Sequence, residues 1–514
     1  MTIQNEIGSD TVRTPVSRGT GARALSPLVL LFLISLMIPI IFYAGPLRFS
    51  PYRLLLFAMF LPLVFQWLSG KAGGVLKADL LMLFCCVWAS IALGKVHGFG
   101  STIESMGAFT VECFGPYLLA RCYVRTAEQF RAVVRCVSLL VMILLPFVAI
   151  ESITGRPIIL QVLSKFATIS ADTSGAMGKR WGMARAVGPF EHPILFGVFC
   201  SSIIALSYFT LVDDRRSPSR FLTPAFAVGN VFFSLSAGPF VSVVMQIGMI
   251  LWDRIVSTPK RWWILLGLVI AAYVAIDVLS NRTPYRVFIH YLTFSSGSAY
   301  NRVLIWEWGS KTVAQFPIFG IGFNDWFRPR WMGSSVDNFW LLIAMRHGLP
   351  TVLAMIAAIA LIFRGLIKQQ DLPEEVQRFR KGLMISLVGV FIAITAVHLW
   401  NAAYCWLMFL IGAGVWMFNE PPRAASATDD TPEAEEPTRG RVSYARRKNA
   451  AGRRPAHPTT ARKARADNPE EPDPPPSPEP SPSRKASKTS WARRKNAPGA
   501  RKRPMIGAGP RRRG

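Results

Sequence analysis

Acidic residues are scarce in this 514-residue chain: 30 Asp and Glu stand against 58 Lys and Arg, and only 17% of the residues are charged. The seven cysteines, Cys85, Cys86, Cys113, Cys122, Cys136, Cys200 and Cys405, all lie in or beside apolar runs, where a thiol behaves as a small buried hydrophobe. That placement excludes a disulfide framework and offers no metal-ligand spacing. No βαβ pattern surrounds Gly320-Ile321-Gly322, which also lacks the third glycine of a dinucleotide loop. No repeat relates the two halves of the chain, as it does in many transporters.

What is abundant is apolar: 51% of the chain is hydrophobic and 12% aromatic, with positive mean hydropathy even though the last hundred residues are strongly polar. Repeated uncharged runs of about 18–22 residues match the length that crosses a hydrocarbon core of about 30 Å. In lipid only a helix closes all its own backbone hydrogen bonds over such a run. The patterning predicts an all-α polytopic membrane protein of about 12 transmembrane helices. They fall near 25–44, 51–69, 78–96, 104–120, 133–152, 193–212, 222–237, 239–252, 262–280, 338–363, 382–399 and 401–418. Residues 1–24 carry Arg13, Arg18 and Arg23 without a small-residue cleavage pattern, and read as a cytoplasmic lead.

Charge sets the expected orientation, because short cytoplasmic loops hold the Lys and Arg excess. With the N-terminus inside, Lys71 and Lys77, Arg121 to Arg135, Arg215 to Arg220, Arg254 to Arg261, and Arg364 to Lys381 all fall in inner loops. The short outer loops near Pro46, Val96, Gly238 and Trp400 carry only Arg48 and Lys95. Both termini then lie in the cytoplasm, and two long loops, 153–192 and 281–337, face the other side. Ser236-Ala237-Gly238-Pro239 reads as a tight hairpin between the seventh and eighth spans or, as the alternative, a re-entrant break, since a helix does not readily continue through Gly-Pro.

The segment from Glu420 to the end carries 23 Lys and Arg against 11 Asp and Glu, +12 of the total +28. It is Pro-, Arg- and Ala-rich with almost no large apolar residue, so 420–514 is expected to be disordered. Within it Tyr444-Ala-Arg-Arg-Lys-Asn-Ala450 recurs as Trp491-Ala-Arg-Arg-Lys-Asn-Ala497. Such a basic repeat suits anionic lipid headgroups or an acidic partner; a solvated low-complexity extension is the plainer alternative, and no nucleic-acid partner is expected.

Polar chemistry concentrates in the two long loops. Lys179, Arg180 and Arg185 precede Val187-Gly188-Pro189-Phe190-Glu191-His192-Pro193, which puts Glu191 and His192 at about headgroup depth. Ionisable groups there either anchor at the interface or serve a site. The stretch Ser298–Leu349 sets Arg302, Lys311, Arg328 and Arg330 among Trp306, Trp308, Trp326, Trp331 and Trp340. A helix is expected from Ala299 to Gln315 with Ser298 as its cap. On it Arg302 and Trp306 share a face, and Glu307 and Lys311 form an i,i+4 pair. A guanidinium suits phosphate because its fork donates two hydrogen bonds at once, while tryptophan at this depth more commonly forms an interfacial belt than a sugar contact. Pro317-Ile318-Phe319-Gly320-Ile321-Gly322 reads as a sharp turn that returns the chain toward the membrane. Asp337-Asn338 follows at the mouth of the tenth span. Gly348 and Pro350 then break that span, leaving Arg346 and His347 deep in a polar cavity.

At these residues the chain resembles the O-antigen ligase and polysaccharide polymerase family of bacterial envelope membrane glycosyltransferases. The matching order runs from Gly188-Pro-Phe-Glu-His-Pro193 through Asn301-Arg302 to Trp308, Pro317 to Gly322, Asp337-Asn338-Phe-Trp-Leu and Gly348-Leu-Pro350. It covers roughly 25–418. The resemblance implies a multi-pass protein of the bacterial inner membrane and metal- and cofactor-independent glycosyl transfer on the periplasmic face. The implied donor is a saccharide on undecaprenyl diphosphate, and the acceptor is a sugar hydroxyl on lipid A-core (ligase) or on another lipid-linked glycan (polymerase), with other polysaccharide-assembly proteins as partners. Inverting transfer needs a base and cations for the departing diphosphate. Asp337, Glu191 and His192 are the candidate bases and Arg302 the leading catalytic cation. Arg185, Arg328, Arg330, Arg346, Trp306 and Asn338 are candidate substrate contacts. Ligases of this family usually carry histidine where Asp337 stands, so the resemblance favours a polymerase of exopolysaccharide or O-antigen repeats. A lipid-linked oligosaccharide transporter and a scaffold working through the basic tail are the competing classes.

Overall fold

The computed structural model describes residues 25–418 except 46, 176–177, 212–217, 281–282, 285, 288–295 and 370. The expected lead at 1–24 and the basic tail at 420–514 lie outside the described residues.

The described chain is mostly helical, with two short antiparallel hairpins at Phe42–Phe49 and Lys179–Ala184. Among the described residues seven helices are long and apolar enough to cross a membrane: Pro51–Leu68, Lys77–His97, Ala127–Thr154, Pro193–Thr210, Arg261–Leu279, Leu349–Lys368 and Asn401–Phe418. Phe99–Tyr123, Ala237–Ile255 and Glu374–Ala393 have comparable lengths of 25, 19 and 20 residues but carry more polar side chains.

Several expected spans change shape. The run at 25–44 holds a helix only over Pro27–Ser35, nine residues, because the ring of Pro39 would meet the Ser35 carbonyl one turn back. The chain turns instead into the Phe42–Phe49 hairpin. The corner after Leu222–Ser234 is Leu235, at φ 45°, and not Gly238-Pro239. Pro239 sits in the first turn of Ala237–Ile255, where its missing N–H breaks no helical bond. The expected span at 338–363 is two helices, Phe339–His347 and Leu349–Lys368, divided at Gly348 with φ 81°. The outer-loop helix begins at Ser296, not Ala299, so Ser298 lies inside its first turn and is not the cap.

Pro193–Thr210 is the element the others enclose, with 94% of its apolar window buried. It is interrupted at Ser202, and the freed groups find side chains. Gln246 accepts from the Ala205 N–H at 3.1 Å and donates to the Ser201 carbonyl at 2.8 Å. Ser386 donates to the Ser202 carbonyl, and Trp406 Nε1 donates to Ser202 Oγ at 2.8 Å. A break in a low-dielectric interior persists only when repartnered in this way. At the other extreme, Arg261–Leu279 buries none of its residues.

The connections segregate into two ends. At one, Ile41 N–H donates to Thr168 O at 2.8 Å, Ala186 N–H to Phe233 O at 3.0 Å, Phe323 N–H to His97 Nε2 at 2.8 Å, and Phe339 N–H to Ile394 O at 3.0 Å. All are segments read as outer loops or their margins. At the other end Arg121, on Phe99–Tyr123, grips Asp79 and the carbonyls of Ala72 and Gly74, Arg131 pairs with Glu375 at 2.9 Å, and Arg261 and Lys381 share Asp253.

Candidate functional site

At the end that gathers the outer-loop segments lies a cavity of about 510 Å³. Three strips of chain wall it: the approach to Pro193, the loop 321–337 with the helix after it, and the connection 394–400.

The first strip is fixed from below. Glu151, at the end of Ala127–Thr154, accepts from the Val187 and Gly188 N–H groups at 2.7 and 3.1 Å. Two such charge-assisted bonds hold the turn in which Gly188 takes φ 54°. His192 then caps the central helix, its Nδ1 accepting from the Ile194 N–H at 3.2 Å. Its ring borders the cavity. Burial, reinforced by the Arg185 guanidinium, pushes its pKa down to about 4, so it is neutral at pH 7.

The second strip explains the Pro317–Gly322 motif. Ile321 N–H donates to Met345 O at 2.7 Å, Gly322 N–H to Arg346 O at 3.1 Å, and Leu349 N–H to Pro317 O at 2.7 Å. The turn is stitched backbone to backbone onto the helix break. A Cβ on Gly348 would overlap the Ile318 carbonyl, and one on Gly320 the Met345 carbonyl. Only glycine fits both the left-handed backbone and the contact. The stitching aims Arg346 at the cavity, which it lines with its guanidinium 5.6 Å from the Phe323 ring centre. Among the described residues that guanidinium has no hydrogen-bond partner. His347 turns away, buried against Phe109 with its Nδ1 unpartnered.

Asp337 stands half-buried on the same wall, accepting from Ser335 Oγ at 3.2 Å. Arg185 lies close enough to feel it. Burial brings the Arg185 pKa down to about 10, with Arg180 lowering it further, Asp337 opposing and Arg302 adding to the fall. Arg185 donates to Ser236 Oγ at 2.9 Å and leaves its Nε buried without a partner.

Other expected site residues do different work. Asn338 is buried and caps Phe339–His347, its Oδ1 accepting from the Leu341 N–H at 3.0 Å. Arg302, 7% exposed, donates from Nε to Ala396 O at 3.1 Å and braces the third strip without lining the cavity. Glu191 faces a separate void of about 30 Å³ and accepts from Trp400 Nε1 at 2.8 Å and from Asn401 Nδ2. Arg328 is consumed inside its own loop by Asp325, Trp326 O and Met332 O. Arg330 is exposed and lines no part of the cavity, and Trp306, 45% exposed, is also outside it. Of the named residues, the cavity therefore brings together Asp337, His192 and Arg346, with Arg185 beside Asp337.

Sequence reasoning missed His398 and Trp400, which line the third wall. The run 382–399 had absorbed His398 into a span, whereas the helix stops at Ala393. The only signal was His398 itself, a histidine set between apolar Val397 and Leu399 at that run's end.

No family model matches the chain, and no curated protein matches it.

Proposed function

We propose that the chain polymerises lipid-linked saccharide repeats by inverting glycosyl transfer at the periplasmic face of a bacterial inner membrane, with a polyprenyl-diphosphate-linked donor. What supports the reading is the cavity's combination of one under-partnered carboxylate, Asp337, with an arginine, Arg346, whose guanidinium has no hydrogen-bond partner among the described residues. In this reaction the acceptor hydroxyl gives its proton to Asp337 as its oxygen bonds to the anomeric carbon. The bond from that carbon to the diphosphate breaks, and the leaving oxygen takes the electron pair. Arg346 takes up the charge that develops there, with Arg185 adding its field from outside the cavity lining, as fixed cations in a partly dried site do best. Arg302 and Glu191 serve as positioning residues, through Ala396 and Trp400.

The test is glycan profiling of a deletion strain carrying wild type, Asp337→Asn or Arg346→Ala at equal membrane level. Loss of long polymer, with single lipid-linked repeats accumulating and only wild type restoring it, is the expected result. Long polymer that stays on its carrier and fails to reach lipid A-core means the chain is a ligase. Unchanged glycans in every strain overturn both enzyme readings.

A further inference from the structure

The connection 394–400 entered none of the motifs, yet it supplies a complete wall. At Trp400 the backbone is extended, with φ −147° and ψ 167°, and burial alternates along the residues before it. Val397 and Leu399 enter the core at 1% and 2% exposure, so His398 and Trp400 turn to the cavity. The His398 ring lies near-parallel to Phe339 on one side, with centroids 6.2 Å apart at 20°, and to Trp400 on the other, 5.4 Å apart at 25°. His192 meets the same indole at 5.9 Å. Glu191 holds the indole N–H, and Arg302 and the Phe339 N–H hold the backbone at Ala396, Ile394 and Val397. A wall ordered before a ligand arrives spends little binding energy on being ordered.

His398 Nδ1 is buried with no hydrogen-bond partner among the described residues, an arrangement folded proteins rarely keep. Burial, with Arg346 adding to it, pushes the imidazole's pKa down to about 3 and so keeps it neutral. A neutral imidazole carries one donor and one acceptor. A sugar hydroxyl is its match, being both at once.

We infer that this wall is the acceptor-saccharide subsite, where the sugar lies against the Trp400 indole and His398 hydrogen-bonds the hydroxyls beside the reacting one. The inference rests on the glycosyl-transfer reading and adds to it the subsite and its two contact residues.

The probe is the repeat oligosaccharide released by partial acid hydrolysis from the host strain's surface polysaccharide. It is added to the full chain in nanodiscs and read by saturation-transfer NMR. A turnover assay alongside varies the concentration of lipid-linked repeats. His398→Gln is expected to weaken oligosaccharide binding about tenfold and raise the half-saturating repeat concentration by a similar factor, the scale of one lost hydrogen bond. Its maximal rate should stay within about threefold of wild type, a split that general loosening of the fold would not produce. Asp337→Asn should abolish turnover while keeping saturation transfer. If His398→Gln misfolds, Trp400→Phe replaces it, with weaker saturation transfer expected from the smaller ring. Unchanged binding in a folded His398 or Trp400 variant overturns the subsite. If host glycans are unchanged by deletion while oligosaccharide binding still depends on His398, the reaction fails and the saccharide site stands. If Asp337→Asn stops polymer growth and His398→Gln changes neither binding nor half-saturation, the reaction stands and the subsite fails.

Discussion

Asp79 and Asp337 are the same side chain in opposite circumstances. Asp79, fully buried, accepts from Trp67 Nε1 and the Leu76 N–H at 2.9 Å each, from the Tyr117 hydroxyl, and from Arg121 Nε and a terminal guanidinium nitrogen at 3.2 and 2.8 Å. A carboxylate offers about four lone-pair positions, and here they are spent. Asp337 accepts from one serine hydroxyl and faces open volume. The contrast extends to the arginines, since Arg121 is spent on Asp79 and two carbonyls while the Arg346 guanidinium has no hydrogen-bond partner among the described residues and meets only the Phe323 ring. One end of the bundle uses charge to hold helices together. At the other, Arg302, Glu191 and Arg328 are spent as well, but Asp337 and Arg346 are left open to the cavity, and unspent valence is what a reacting group requires.

Exchanging the two aspartates for uncharged residues gives the sharpest break in that comparison. Asp337→Asn should cut glycosyl transfer by about 10²–10⁴-fold, the scale of a lost general base, with the melting temperature in detergent unchanged. Asp79→Ala should do the reverse, costing about 3–5 kcal/mol of stability by stranding buried Arg121, and little folded protein should reach the membrane fraction. If Asp337→Asn melts early, the carboxylate is structural after all.

Arg346→Ala comes next, with transfer lowered about 10²–10³-fold and the melting curve retained, assayed on purified lipid-linked repeats. The pH profile follows. An unfolded chain protonates its histidine near 6.5, whereas His192 in the fold resists until about pH 4, held down by burial and by Arg185 and Arg180 against the opposing pull of Asp337. Its share of stability is therefore complete above 6.5 and is lost as pH falls from 6.5 toward 4. Melting temperatures across that window should fall less steeply in His192→Gln, whose side-chain oxygen can still accept the Ile194 N–H. Asn338→Ala removes a cap and should cost about 1 kcal/mol, seen as a small shift in melting. Arg330→Ala and Trp306→Ala, both outside the cavity, should change transfer by less than about twofold.

The helical membrane character was legible because unbroken apolar length has one solution in lipid. The Gly348 break was legible too, because glycine before Leu-Pro is a recognisable helix boundary. The shortness of Pro27–Ser35 was not, since hydropathy counts residues 36–44 as apolar whatever backbone they adopt. At the site, Asp337, His192, Arg185 and Arg346 were reachable from residue type and depth. Glu191, Arg302, Arg328 and Asn338 share those types, and only the identity of their hydrogen-bond partners separates a brace or a cap from a group left open. His398 stayed hidden because its chain neighbours are apolar and its importance comes from an alternation only four residues long.

The stitched corner between Pro317–Phe323 and Gly348 carries a mechanical implication. Three backbone hydrogen bonds and a glycine contact make the turn and the two helices one body. Residues 324–336 add hydrogen bonds of their own, Trp326 Nε1 to Ser334 O and Arg328 Nε to Met332 O, and bury Trp326, Met332 and Val336 in one cluster with Leu304, Ile305, Leu341 and Met345. The wall that carries Asp337 and the corner that carries Arg346 therefore share one apolar core, and the shape of the cavity between them is set by that core as a whole.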